Sequence, residues 1–385
     1  MWACQTADVD EQLVEQIREG VPPGKDLSGS DLSTADLRNV DLNYADLVGA
    51  NLQGADLRGA NLIGAHLTGA KLDLANLESA RLTDAHLTAA TLVKAKLTRA
   101  DLDGANLDRA TLMIANLADT DLTKASLRSA DLTRTNLERA NLKDASLANA
   151  KLYGTKLGGS CLTDADLTGI NGIYPPFPPD YEPTDFSGAE LRRANLAGAL
   201  LWKANFSRAC LAGANLANTN LGQANLQEAD LSRANLAEAH LNWSDLDEAD
   251  LSRANLANAS LRGTKLRRAN LFAVDLSESD MTYVNLAEAR ASSAVCVAAE
   301  IKEAFLADAE FKHANLQGAS FAWTKLLRAD LSDADLTGAV LSSADLTEAN
   351  LSRAKLVGAF MFDTNIDQAD FAGADLTDAQ GLTTE

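Results

Sequence analysis

Leucine recurs at every fifth position through most of the chain. From Leu27 to Leu167 every fifth residue is leucine, which gives 29 in succession. A second series keeps its phase from Phe186 to Leu376 and has 39 members, most of them leucine and nearly all of the rest apolar. Alanine usually stands two places before each central residue, and Asp or Asn usually lies between them. Together, 68 five-residue repeats cover 340 of the 385 residues.

A period of five does not suit an amphipathic helix. A helix turns by about 100° per residue, so central residues five apart would spiral around every side and leave no polar face. Alternation within the repeat is typical of a strand instead, with alanine inward, Asp or Asn outward and leucine inward. The next two residues, often Gly, Ser, Thr, Arg or Asp, suit a turn. The pattern therefore predicts a coil of short strands with a Leu/Ala interior and a polar exterior.

The repeat A(D/N)LXX resembles that of the pentapeptide-repeat family, as in "ANLQGADLRGANL" and "ADLSRANLAEAHL". The resemblance implies an all-β fold, a right-handed quadrilateral parallel β-helix with four repeats in each coil. That four repeats close a coil comes from the resemblance and not from the period. On this basis 68 repeats make about 17 coils, and a spacing of about 4.8 Å between stacked strands gives a rod about 80 Å long.

One insertion interrupts the leucine series. The step from Leu167 to Phe186 is longer by fourteen positions than one repeat requires, and the excess lies within the segment 169–184, "GINGIYPPFPPDYEPT". Its five prolines cannot donate to a ladder, so the segment is expected to be a loop. Because the first series ends one repeat past seven full coils, we expect the second to resume on the next face of one continuous rod. The predicted organisation is a helical cap at 1–24, coils at 25–168, a loop at 169–184, coils at 185–381 and a tail at 382–385.

A second segment, 286–311, lacks the consensus and looks helical. Ala291, Cys296, Ile301 and Leu306 nevertheless fall in phase as central residues, each with alanine two places earlier. The interpretation is a divergent coil near 287–308, with a helical insertion as the alternative that stays open.

The two ends differ in sequence. Near the start, Val9, Leu13, Val14 and Ile17 share one helical face and Gly20 is a stop signal, so a helix is expected to cover the apolar end of the first coil. No such segment follows Leu376. A bare last coil would expose strand edge and apolar interior. We therefore expect either a homodimer through the uncapped C-terminal end or folding of the last residues over it.

Charge and cysteine content restrict the function classes. With 34 basic and 54 acidic residues, the net charge is −20, which disfavours direct nucleic-acid binding and favours basic partners. Four cysteines without a CxxC pair predict neither disulfides nor zinc and fit a reducing compartment. The sequence shows no export signal and no apolar run long enough to span a bilayer, so the chain is expected to be soluble and cytoplasmic, with no membrane contact.

Residues four repeats apart would stack in columns on the coil surface. Asn195, Asn215, Asn235 and Asn255 form one such column, for which a structural amide ladder is expected. His66 and His86 stack as well. They suit either a metal pair or two outward polar residues, and the second interpretation is favoured. We assign no cofactor, metal or catalytic residue, since no cleft is expected that would shift pKa values for acid–base work.

Aromatic residues mark one corner of the coil. Trp243, Tyr283 and Trp323 share a column, and Trp202 lies next to its start. By the same spacing the loop returns at Pro183 beneath Lys203 in that column, so the loop aromatics are expected to overhang this edge. The candidate interaction surface is therefore Tyr174, Phe177, Tyr181, Trp202, Trp243, Tyr283 and Trp323. The alternative is that these rings pack on their own corner of the coil or under the loop.

These features favour a non-enzymatic scaffold that binds a protein partner, which the sequence does not identify. Some pentapeptide-repeat proteins mimic DNA and bind type II topoisomerases, so an acidic rod that binds DNA gyrase is the alternative. Residues 1–57 hold 11 acids and 3 bases, and 329–385 hold 11 and 2. The middle, 58–328, holds 32 and 29, so only the ends are strongly acidic.

Overall fold

The computed structural model describes residues 11–20, 22, 24–173 and 182–382. The chain divides into two compact units, unit 1 from Met1 to Glu190 and unit 2 from Leu191 to Glu385. One helix, α1 (Glu11–Glu19), is present among the described residues. The remainder is built from single-residue parallel β-bridges between positions one coil apart.

Each coil contains four repeats. In unit 1, Asp26 pairs with Asp46 and Asp31 with Asn51, and the 20-residue spacing then repeats up to the pair Lys151 and Asn171. In unit 2 the same spacing runs from Asn195 to Gln380. Four short strands and four turns therefore close one coil, and five residues is the distance along the sequence from one corner to the next. The predictions of 17 coils and of one continuous rod stay predictions.

Most of the described repeats turn through the same backbone hydrogen bond. At the corner after Leu47, the N–H of Ala50 donates to the carbonyl of Leu47 at 3.0 Å. Gly49, the second turn residue, has a φ of +65°, as the third residue of a type II turn does. The Asp46 carboxylate accepts the N–H of Val48 at 3.1 Å. Asp and Asn are therefore favoured before the central residue because their side chains satisfy a turn N–H, in addition to facing solvent.

The interior of the coils is closely packed. Central leucines and the small residues before them, such as Leu52 and Ala50, are fully buried. Where threonine replaces the inward alanine, its hydroxyl donates to a backbone carbonyl, either of the neighbouring coil, as Thr264 Oγ1 does to Leu241 at 2.8 Å, or of its own turn, as Thr120 does to Leu117 at 2.7 Å. Buried hydroxyls of this kind therefore keep a hydrogen bond within the core.

The coil pattern in unit 1 extends beyond its predicted end at residue 168. Asn171 pairs with Lys151, and its side chain accepts the N–H of Ile173 at 2.9 Å, as in an ordinary repeat. Asp185 then takes the place beside Lys156 that an unbroken series would give to residue 176, so nine positions are inserted and not fourteen. The second series accordingly resumes one face later than predicted. A search for leucine misses this repeat because its central residue is Gly172, while the inward Ile170 fills the core.

The divergent segment of unit 2 forms an ordinary coil. Arg290 pairs with Glu310 and Val295 with Asn315, both at the standard spacing. Cys296, Ile301 and the other in-phase central residues are fully buried. The coil tolerates these substitutions because its ladder is made by the backbone and its interior needs only apolar side chains of suitable volume.

The two described ends differ in burial. Helix α1 buries Val14 and Ile17, and Arg18 donates from Nε to the carbonyl of Asp36 at 2.9 Å. In the last coil of unit 2, Ile366 and Leu376 occupy central positions but are 38% and 37% exposed. Capping by α1 and dimerisation through the last coil both stay predictions.

Candidate functional site

The aromatic column is a property of unit 2 and lies on one corner of its coils. Trp243, Tyr283 and Trp323 are second turn residues with φ of +61°, +63° and +62°. This backbone conformation is uncommon for bulky residues. Trp243 is 59% and Trp323 68% exposed, whereas Tyr283 is partly buried. The column predicted from 20-residue spacing is therefore largely a solvent-facing aromatic edge.

Two of the tryptophans also pack against glycine in the following coil. The Trp243 ring covers Gly263, where an added Cβ would collide with the indole carbons. An added Cβ at Gly222 would lie 3.1 Å from Cδ1 of Trp202, and Lys203 Nζ lies 4.2 Å from the Trp202 ring centroid. These two tryptophan rings thus pack on their own corner of the coil and also remain partly exposed to solvent. The sequence signal for the packing is a glycine one coil after an aromatic residue.

A surface cleft of about 530 Å³ separates Tyr283 from Trp323. Glu303 lies between them in the column, and the Tyr283 hydroxyl donates to its Oε1 at 3.1 Å. The other side of the cleft is formed by Phe305, and Lys325 Nζ lies 5.2 Å from the centroid of that ring. The sequence reasoning missed Phe305. It stands directly before a central residue, where the repeat has Asp or Asn, and this exchange was the available signal.

The loop aromatics Tyr174, Phe177 and Tyr181 lie outside the described residues. The described base of the insertion in unit 1 rests on Tyr153, which is buried and was not predicted as a site residue. Its hydroxyl accepts the N–H of Glu182 at 3.3 Å, and the Glu182 carboxylate pairs with Arg134 at 3.1 Å. A buried tyrosine and an ion pair therefore hold the chain where it returns from the insertion.

Charged side chains one coil apart form ladders along other corners. Arg139 contacts Asp119 at 2.7 Å and Arg353 contacts Asp333 at 2.6 Å. Hydrogen bonds from these arginines hold the pKa of Asp119 and of Asp333 below the usual range. Both carboxylates are members of surface ion pairs, that of Asp119 exposed and that of Asp333 partly buried.

The remaining candidates for chemistry are few. His66 and His86 stack edge to face with ring centroids 4.9 Å apart. In the described part of the chain, no three His, Cys, Asp or Glu side chains are grouped to hold a metal ion. Complete burial raises the pKa of the Cys296 thiol to about 12, so it stays protonated at neutral pH.

The predicted amide ladder is confirmed in unit 2. The Nδ2 atoms of Asn215, Asn235 and Asn255 each donate to the Oδ1 atom of the asparagine one coil earlier, at 2.9, 3.1 and 3.2 Å. The asparagines are saturated by one another and by turn N–H groups, so this column is structural.

A sequence profile described as "Pentapeptide repeats" matches most of the chain. The overlapping matches cover residues 26–169, 184–271, 304–342 and 344–380. The chain belongs to the pentapeptide-repeat family. The family fold is a right-handed β-helix, in agreement with the parallel 20-residue pairing of both units. The profile does not match 272–303, although these residues form coils.

Several solved pentapeptide-repeat structures resemble the chain. HetL, involved in heterocyst differentiation regulation in the cyanobacterium Nostoc sp. strain PCC 7120, is 28% identical over 70% of this chain and 91% of its own, with a TM-score of 0.27. A pentapeptide-repeat protein of the Arabidopsis thaliana thylakoid lumen is 41% identical over 25% of this chain and 66% of its own, with a TM-score of 0.25. QnrB1, a plasmid-mediated fluoroquinolone resistance protein, is 16% identical over 60% of this chain and 90% of its own, with a TM-score of 0.33.

Two further comparisons gave negative results. The search of curated proteins found no significant match. Among the described residues, no helix is long and apolar enough to cross a membrane.

Proposed function

We propose that the protein is a non-enzymatic scaffold whose aromatic edge in unit 2 binds a protein partner. Membership of the pentapeptide-repeat family supports an interaction protein as the general class. The observation that carries the proposal is the exposure of Trp243 and Trp323 on one column of unit 2. Large aromatic side chains are enriched in the energetically dominant parts of protein interfaces.

The surroundings of the edge support binding more than catalysis. The cleft beside Trp323 is open, and its only described acidic lining residue is Glu303. The pKa shifts found elsewhere among the described residues arise mainly from exposed ion pairs, from hydroxyls that bond carboxylates, and from burial of Cys296. General acid–base work needs a titratable group in an enclosed site. The absence of enzymatic activity and the cytoplasmic location are parts of this proposal.

Affinity capture from an extract of the source cells tests the proposal. The unsubstituted bait is expected to enrich a protein partner. A bait that carries Trp243→Ala, Tyr283→Ala and Trp323→Ala is expected to enrich this partner at least tenfold less. An equal enrichment on both baits would contradict binding through the aromatic edge.

Unit 1 offers a matched control. Tyr44, Leu74 and Ile114 are exposed apolar residues at the same turn position, and each also has positive φ. Replacing these three by alanine removes a comparable apolar area from corners that lack the aromatic column. The control bait is expected to keep the partner, which separates a specific edge from general loss of apolar surface.

The acidic alternative has one observation in its favour. Residues 329–385, at the end of unit 2, hold 11 acids and 2 bases, and a hydrogen bond from the Thr377 hydroxyl lowers the pKa of Asp375 further. Partial burial raises the pKa of Asp330, but hydrogen bonds from Ser332 and the neighbouring Lys312 together lower it below the usual value. A charged end of this kind suits a basic protein groove. A gyrase supercoiling assay tests it, and no inhibition or protection at micromolar protein would exclude a DNA mimic.

A further inference from the structure

We propose that the cleft between Tyr283 and Trp323 binds the guanidinium group of an arginine from the partner protein. The inference rests on the proposed function, because it assigns the chemistry of the partner at the aromatic edge. It is carried by the position of Glu303 in the column, by the open ring of Trp323 and by the use of cation–aromatic contacts elsewhere in the chain.

Acidic residues at the second turn position repeatedly have an arginine one coil away. Such pairs in the described chain include Asp119–Arg139, Arg208–Glu228, Arg268–Glu288, Asp308–Arg328 and Asp333–Arg353. The pairing is a product of the coil, because side chains separated by one full coil lie on neighbouring rungs of the same corner. An arginine on the adjacent rung is thus a recurrent partner of these carboxylates.

Glu303, like Glu238, has no arginine one coil away, but of these two carboxylates only Glu303 has aromatic rings on the adjacent rungs. It occupies the same turn position, with a φ of +52°, but its neighbours one coil away are Tyr283 and Trp323. Its carboxylate accepts a hydrogen bond from the Tyr283 hydroxyl and has no basic partner among the described residues. Aromatic rings therefore occupy the two positions from which an arginine could pair with the Glu303 carboxylate. The adjacent rungs supply no cation to it.

The spacing suits an inserted planar cation. Tyr283 and Trp323 are two rungs apart, which is about 10 Å at the spacing of stacked strands. Glu303 occupies the rung between them, and the cleft of about 530 Å³ that these residues line has space for one planar group against the exposed Trp323 ring. Guanidinium is planar, stacks on aromatic faces and bonds a carboxylate through two N–H groups, whereas an ammonium group does not combine these features.

The chain already uses the same chemistry at its other rings. Lys203 lies over Trp202, the Arg262 guanidinium is 4.8 Å from the Tyr283 centroid, and Lys325 lies over Phe305. Within the described residues no such cation covers Trp323. Trp323 is also the most exposed member of the column, at 68%. Its face is therefore available to a cation from outside the chain.

Lys325 is the feature that opposes the proposal, and it provides a test. Its ammonium group lines the cleft and repels an incoming cation, although it is directed onto Phe305. If a guanidinium enters, removal of the Lys325 charge should strengthen binding and removal of the Glu303 charge should weaken it. An anionic ligand predicts the opposite order, and an apolar ligand should respond to neither change.

The probe is N-acetyl-arginine methylamide, titrated into the full chain with ¹⁵N-labelled tryptophan. The chain has four tryptophans, so the indole N–H signals are few and can be assigned by single Trp→Phe variants. The Trp323 signal is expected to shift saturably, with a dissociation constant on the order of 10 mM for one stacked, paired side chain. The matching citrulline compound, which has the same shape without the charge, should shift it at least fivefold less.

The variants supply direction and control. Glu303→Gln is expected to weaken arginine binding at least threefold, and Lys325→Met to strengthen it about twofold. Glu238 is an exposed carboxylate at the same turn position between two asparagine rungs, so Glu238→Gln should have no effect. Unchanged Trp202 and Trp243 signals verify that each variant is folded.

Equal shifts with arginine and citrulline, or an affinity insensitive to Glu303→Gln, would overturn the inference. The outcome is separable from the proposed function. If the aromatic triple variant loses its partner while arginine fails to bind, the inference alone falls. If arginine binds but no partner depends on the aromatic edge, the proposed function is contradicted, while arginine binding in the cleft is supported.

Discussion

The indole ring of Trp243 lies over Gly263, one coil later in the same column. An alanine at this position would need a left-handed φ of +66° and would collide with the ring. The first cost is common in this fold, because many non-glycine residues adopt positive φ at the second turn position. The collision with the ring is specific to the aromatic edge, so suitable substitutions can separate it from the cost of the backbone conformation.

Gly263→Ala is therefore expected to move Trp243 off its corner. Gly338→Ala is the matched control, since Gly338 has the same φ of +66° but no atom near its Cβ position. Both changes should cost about 1–2 kcal/mol of stability for the backbone conformation. Only Gly263→Ala should also shift the tryptophan near-ultraviolet dichroism. Identical spectra for the two variants would contradict the packing of Trp243 on Gly263.

Replacing a buried central leucine should lower the stability strongly, whereas replacing a central leucine of the last coil should lower it little. Leu216 is fully buried, whereas Leu376 is 37% exposed at the equivalent central position. Leu216→Ala is expected to cost about 3–5 kcal/mol in the free energy of unfolding, and Leu376→Ala below about 1 kcal/mol. Chemical denaturation measures both. A large loss at Leu376 in dilute protein would instead indicate that this position is covered in solution.

The thiol of Cys296 should be inert in the folded protein. Burial raises its pKa to about 12, so very little of the reactive thiolate is present near neutral pH, and its side chain has no exposed surface. Cys161 and Cys210 are partly exposed. Iodoacetamide at pH 8 followed by mass spectrometry should label these two at least 100-fold faster than Cys296. Comparable labelling of Cys296 would mean that the divergent coil opens.

Acid should destabilise the protein through its carboxylate ladders. Arginine partners hold the folded-state pKa of Asp119 and Asp333 below the unfolded value of 3.8. Their contribution is therefore complete above about pH 4 and declines as the pH falls through the lower folded-state values. Thermal midpoints between pH 6 and pH 2 measure it. A variant with Arg139→Gln and Arg353→Gln should lose less of its midpoint on acidification, and an identical decline would contradict the assignment.

The regular part of the fold follows from the sequence because each repeat is locally complete. The turn, its Asx hydrogen bond and the inward side chains lie within one repeat, so the period alone predicts the coil interior. Columns then follow from the 20-residue spacing, which is why the asparagine ladder through Asn235 could be predicted. Cys296 could be placed by phase even where the consensus is lost.

The exceptions could not be predicted because they depend on contacts between coils or on substitutions of the consensus. Asn171 belongs to a repeat without a central apolar residue, so its register was missed. Phe305 replaces an outward Asp or Asn; the 20-residue spacing places it beside Lys325, but the cleft that it forms with Trp323 is visible only in the structure. Tyr153 lies at an ordinary turn position and is buried by the chain that returns from the insertion. In each case the decisive neighbour is distant in sequence.

The most direct measurement of the aromatic edge is site-specific photo-cross-linking. A benzophenone amino acid replaces residue 323 in one variant of the protein and residue 74 in a second variant. Both are exposed turn positions with the same backbone conformation. After irradiation in extract, position 323 should capture the partner that depends on Trp243 and Tyr283, with at least tenfold higher yield than position 74. Equal yields from the two positions, or a partner captured only at 74, would contradict the edge as the binding surface.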